Sequence, residues 1–255
     1  MRKNKKGNMI QVLNAIYPPI LLIIVIILFW EAACITNNIP TWQLAKPTDI
    51  GKAFVENFGE IVPYLKTTYF NIIVGFVLAV VIGVLLAVLI SSFSVLGNAL
   101  TPLIVALCCV PMITLVPTLM LALGTGNNVK ILTIVIQAFP IINMNATTAF
   151  LNVDPTRMEL MQSLKASRLQ KFRYCILQDA LPGVFTGIKL GCIMAVLGGV
   201  SAEIIGGNTG LGNRISYYIG FSKTAQALSC VLYIVFIGAL LYALISILEK
   251  RLVKG

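Results

Sequence analysis

Histidine is absent from the 255 residues, and charged side chains make up only 11% of them. Without histidine the chain cannot hold a Ser-His-Asp triad, an H-E-x-x-H zinc site or a histidine proton relay. A water-facing surface is usually about a quarter to a third charged. The charge present here cannot coat a soluble globule of this size, so most of the surface must face lipid. Soluble enzymes, disordered chains and nucleic-acid-binding domains are excluded on that ground. The six cysteines form no C-x-x-C pair, and most sit in apolar runs. Cysteine there acts as a small hydrophobe, so no metal or redox site is expected. No G-x-x-x-x-G-K-[ST] occurs; Gly183 to Lys189 only grazes the pattern. The chain therefore cannot hydrolyse ATP through a P-loop. No catalytic residue is assigned.

What is present is hydrocarbon. Hydrophobic residues make up 58% of the chain. A helix crosses the membrane core in about 20 mostly apolar residues. Six stretches qualify: 16–35, 64–90, 99–122, 129–151, 183–205 and 225–248. The pattern predicts an all-α, polytopic membrane bundle of about six spans. Residues 1–15 form a basic cytoplasmic N-terminus, and 16–255 a single transmembrane domain. The first apolar run has no A-x-A-like exit, which predicts an uncleaved span. With both termini inside, twelve Lys and Arg fall on the cytoplasmic side and six outside, with Lys189 within span five. That bias is what the positive-inside rule expects of a multi-pass protein with cytoplasmic termini, and it accounts for the net charge of +10 without nucleic acid.

The loops are unequal. External segment 36–63 carries Ile50, Phe54, Phe58 and Ile61 at helical spacing, which predicts an amphipathic helix over 49–62 lying on the outer face. External segment 206–224 holds Gly206, Gly207, Gly210 and Gly212. Cytoplasmic segment 152–182 is long enough to have structure and a role. Within it, Asp154-Pro155 starts a short helix. Ser167 with Gln170 three residues on is a capping box that starts a second. The two make a helix–turn–helix over 155–178. Its apolar residues (Met158, Leu160, Met161, Leu164, then Leu169, Phe172 and Ile176) either fold back on the inner helix ends or dock into a groove of a cytoplasmic protein.

Small residues recur every four positions in span two (Gly75, Ala79, Gly83, Ala87) and span five (Gly183, Gly187, Gly191, Ala195, Gly199). Such stripes let helix backbones approach, within one subunit or between two. Ionisable groups inside lipid are candidates for function. Glu31 reads as a surface anchor, and Lys189 as a side chain snorkelling to the inner interface. Glu203 either gates the path or braces the Gly206–Gly212 loop. Gln137, Asn143 and Asn145 either line a cavity or bond helix to helix.

Read in order, several motifs resemble one family: the membrane-spanning permease subunit of type I ABC importers, nitrate/sulfonate/taurine branch. They are Lys46-Pro47-Thr48-Asp49-Ile50, Val110-Pro111 with Leu115-Val116-Pro117, Gly124-Thr125-Gly126, and Phe139-Pro140 with Asn143. The hallmark Glu-Ala-Ala…Gly loop stands as Glu159 to Ser167, followed by Leu181-Pro182-Gly183, and Ala202-Glu203-Ile204-Ile205-Gly206 leads to Gly210-Leu211-Gly212. The resemblance implies the type I importer permease fold and a second permease copy, most simply a homodimer. It implies cytoplasmic ATPase subunits that hold ATP and Mg while this chain holds no cofactor, and an extracytoplasmic binding protein. It implies placement in a bacterial inner or plasma membrane. It assigns ATPase coupling to Glu159, Leu164, Lys165, Ala166 and Ser167. The four-residue spacing of Gly183, Gly187, Gly191 and Gly199 separately marks them as a helix-packing interface. Four departures stand out: Leu160 and Met161 replace two alanines, Lys165 a glycine, and Gln178 a proline. The family glycine lies just past the first helix, where positive φ is common, so a strained Lys165 is expected. A stand-alone secondary transporter or channel is the alternative. It would rely on intramembrane charge pairs and would not need a structured inner loop.

Overall fold

The computed structural model describes the backbone of residues 4–253 and the side chains of residues 17–253, so most of the basic N-terminus lies outside the described side chains. All regular structure among the described residues is helical. The chain divides into two compact units, Met1–Gly59 with Tyr217–Ser229, and Glu60–Ser216 with Cys230–Gly255.

In the first unit, α1 (Asn4–Thr36) and α2 (Pro47–Glu56) are tied by Glu31. Its carboxylate accepts from the Thr48 backbone N–H (3.1 Å) and hydroxyl (2.8 Å) in the first turn of α2. A carboxylate there satisfies an orphan donor and suits the helix dipole. Glu31 is thus a cap for α2. The amphipathic helix is shorter than the 49–62 expected. The Asn57 side chain bonds back to the Ala53 carbonyl at 3.0 Å, α2 closes, and Phe58 opens the next helix.

The second unit is built around α6 (Asn127–Leu151), with α3 (Phe58–Ser92) and α9 (Leu177–Gly206) packed on it. A methyl placed on Gly75 would lie 2.6 Å from Ile134, and one on Gly83 would lie 3.0 Å from Ile142. Both residue numbers rise together, so α3 and α6 run parallel. On α9 they run opposite: Gly183 faces Ala149, Gly187 faces Asn145, Gly191 faces Ile142, and Gly198 faces Gln137. Gly199 sits between Ile134 and Ile72. The small-residue stripes are therefore spent inside the subunit, and they give no argument for a subunit interface.

Parallel α3 and α6 have a topological consequence. The chain between them must return across the membrane before α6 begins. The third span, expected as one helix over 99–122, is instead α4 (Ser94–Cys108) and α5 (Met112–Leu123), bent by 99°. The cause is local. Pro111 has no N–H to continue the ladder. Cys109 and Val110 close α4 with tight bonds to the Ala106 and Leu107 carbonyls. Counted as one broken span, the pair brings the total from five to six. Pro117 and Pro140 are carried within α5 and α6 without a break.

Lys189 does not simply snorkel. It pairs with Glu249 of α11 (Thr224–Leu252), its ammonium 6.0 Å from the Tyr242 ring centroid. Because Gly187 touches Asn145 through its bare backbone, Gly187→Ala is expected to cost about 1–3 kcal/mol by overpacking. Gly51→Ala in α2 meets nothing within 4 Å and should be neutral or stabilising. Unfolding midpoints in detergent would check the contrast.

Candidate functional site

Two constructions stand at opposite ends of α9. At its N-terminal end is the hairpin between α6 and α9. Asp154 accepts from the Thr156 N–H at 2.9 Å and starts α7 (Pro155–Ser163). α7 ends in a Schellman turn: the Ala166 N–H reaches the Met161 carbonyl (3.0 Å), and the Lys165 N–H the Gln162 carbonyl (2.9 Å). Lys165 takes φ 51° to make it. Ser167 and Gln170 then cap each other at 3.3 and 2.8 Å, the capping box expected from the sequence. α8 (Arg168–Lys171) runs through a π turn, Phe172–Ile176, directly into α9. Together they form one 39-residue rod, Arg168–Gly206, roughly 58 Å long. Arg157 on α7 pairs with Asp179 on the rod, and Phe172 lies against Phe150 with ring centroids 6.1 Å apart. Both contacts hold the hairpin to the adjoining ends of α6 and the rod.

The apolar face is only partly used by that fold-back. Ile176 packs on the cluster of Ala87, Ala146, Phe150, Ala180 and Val184. Leu160, Leu164 and Leu169 remain 60%, 68% and 74% exposed. Glu159, Lys165 and Ser167 are exposed beside them, and Ala166 is half-buried.

At the other end of α9, Glu203 is 1% exposed. Its carboxylate accepts from the Thr68 hydroxyl (2.8 and 2.9 Å) and the Gly212 N–H (3.0 Å). Thr68 in turn accepts from the Leu211 N–H at 2.8 Å. Those two amides are among the orphan donors of α10 (Leu211–Gly220), a helix that the glycine-rich sequence had hidden as loop. Only a residue without Cβ fits beside the carboxylate at Gly210, where φ is 109°. Lys130, counted from sequence as an ordinary outer cation, is 1% exposed. It donates to the Thr209 carbonyl (2.7 Å) and hydroxyl (2.8 Å). The loop between α9 and α10 is thus held from three helices. Thr68, Lys130 and Thr209 were not legible as partners, since each contact spans 79 residues or more.

The polar set of α6 is dispersed. Asn143 is buried and donates to the Gly83 carbonyl of α3 at 3.0 Å. Asn145 bonds its own helix at the Ile141 carbonyl. Gln137 lies 4.0 Å from the Met194 sulfur and lines a small cavity of about 120 Å³ with Leu107, Cys108 and Met112.

The family model described as "Binding-protein-dependent transport system inner membrane component" matches residues 79–254. The chain belongs to that family. The match takes in the hairpin, the rod and Glu203; Thr68 lies before it. Curated relatives agree over most of the chain. A putative aliphatic sulfonates transport permease of Bacillus subtilis (strain 168) is 28% identical over 92% of this chain and 86% of its own length. A nitrate import permease of Synechocystis sp. is 27% identical over 100% and 96%. A taurine transport system permease of Escherichia coli (strain K12) is 29% identical over 74% and 69%. The fold is shared with the methionine ABC transporter in its inward-facing conformations, at TM-score 0.62 and 21% identity over 77% of this chain and 96% of that one. As an inner membrane component of this family, the chain is an ABC importer permease and not an enzyme. The alternative of a transporter working alone falls with that assignment.

Proposed function

We propose that two copies of this chain form the membrane path of an ATP-driven importer. Two cytoplasmic ATPase subunits, holding ATP and Mg, dock on the hairpin tips. An extracytoplasmic binding protein delivers a small solute of the sulfonate, nitrate, taurine or vitamin-precursor kind. Both termini face the cytoplasm. The observation that carries this reading is the hairpin itself. It is fastened by Arg157–Asp179 and Phe150–Phe172, yet leaves three leucines facing water. Several large apolar side chains exposed together on one polar-rimmed tip are the kind of patch that marks a protein contact. Glu159, Leu164, Lys165, Ala166 and Ser167 are the coupling residues in this reading. Motion of the tip passes to the rod, whose far end carries the Glu203 cluster. In this reading Glu203 braces the outer loop, and Gln137 has the best claim on the solute path.

The test is purification of the tagged permease in mild detergent. The expected complex holds two permease and two ATPase copies by native mass spectrometry. In vesicles it should take up solute only with ATP inside the compartment that the tips face. Reporters after Gly255 and at Asn57 should give opposite sidedness. A single permease copy would refute the dimer, and reporters on one side would refute the six-span topology.

A further inference from the structure

The residue at the turn of the hairpin is the wrong one for its backbone. Lys165 is one of three described non-glycine residues with positive φ, beside Asn38 and Ser222. Glycine adopts that conformation without strain, and the Schellman turn uses only the backbone of residue 165. Residues strained in this way cluster at functional contacts, where the strain can serve the contact. Among the described residues no hydrogen bond or ion pair uses the Lys165 ammonium. Lys165 is exposed, and the described ion pairs engage Arg157, Lys189 and Arg214 instead. Its surroundings are net positive. Residues 158–174 hold four cations (Lys165, Arg168, Lys171, Arg173) and one carboxylate, Glu159. The exposed leucines Leu160, Leu164 and Leu169 stand among them.

From this we infer that Lys165 is a charge contact for the ATPase. The groove that receives the tip presents a carboxylate to the Lys165 ammonium, beside an apolar pocket for Leu164. The inference rests on the docking reading above and adds the chemistry of the partner's groove. An anionic lipid headgroup is the other source of negative charge, and the geometry disfavours it. Asp179 is a carboxylate that hydrocarbon would exclude, so the membrane core begins beyond it. From Asp179 to the start of α8 the rod runs about 17 Å. Lys165 lies past that start. The headgroup layer takes up about 5–7 Å of that length, which leaves about 10 Å, just over one Debye length at physiological salt, so the surface potential is weakened there.

The test measures affinity of the co-purifying ATPase for purified permease variants across a salt series. Lys165→Arg should keep affinity. Lys165→Gly should weaken it about 3- to 10-fold at low salt while leaving the permease's own unfolding midpoint unchanged or higher. Lys165→Glu should weaken it further, and both deficits should shrink as salt rises, as expected of a rim charge. Unchanged affinity and salt slope in Lys165→Gly would overturn the inference. So would a deficit confined to nanodiscs containing phosphatidylglycerol and absent from all-zwitterionic ones, which would mark a lipid contact. Failure of the docking reading itself is distinguishable. It would show as Leu164→Asp retaining the ATPase, a residue whose loss involves no change at Lys165.

Discussion

Leu164→Asp is expected to release the ATPase and abolish transport while the permease still inserts and folds. Leu164 closes α7 with its side chain in water, so the change costs the isolated permease almost nothing. Its cost falls on the complex. Burying one leucine is worth about 1.5–3 kcal/mol, and each 1.4 kcal/mol is a decade in affinity. A carboxylate in the same groove adds a desolvation penalty. Assembly should weaken tenfold or more. ATPase retention on detergent-solubilised variants, measured beside uptake in vesicles, reads both effects. Full retention with normal uptake would make the hairpin merely structural.

Glu203→Ala is expected to destabilise the permease itself. The substitution strands the Thr68 hydroxyl and the Gly212 N–H in a buried site. Each stranded group costs about 1–3 kcal/mol, so roughly 2–6 kcal/mol is expected, along with fraying of α10 at its start. Glu203→Gln keeps one acceptor and should cost less. Buried Cys175 and Cys192 are built-in reporters: a thiol-reactive dye detects them only on opening, once exposed Cys108 and Cys109 are replaced by serine. A lower midpoint in Glu203→Ala supports a brace. An unchanged midpoint with lost uptake would assign Glu203 to the path instead.

The two sites differ in how far the sequence alone reveals them. The hairpin is local. Asp154-Pro155, Ser167 with Gln170, and the glycine-like turn at Lys165 all act within four residues of themselves, so their spacing announces them. Apart from the Gly212 N–H, nine residues on, the Glu203 cluster is made by contacts 79 to 143 residues apart. Glutamate in an apolar span announced a site, but nothing near it named Thr68 or Lys130. Glycine spacing is an ambiguous signal. Around Gly210 its density suggests loop where a helix starts from distant acceptors. In α9 its four-residue spacing fits packing within one subunit or between two, and the fold uses it to seat α6. The break at Pro111 was visible as proline, but its size came from the need to turn the chain back before α6.

A photo-crosslinking residue placed at position 164 in the assembled complex reports whether the hairpin tip touches the ATPase. A light-dependent adduct between the permease and the ATPase subunit is expected, lost when the crosslinker is moved to Gly51 in α2. Adducts found only within the permease, or only with lipid, would contradict that contact.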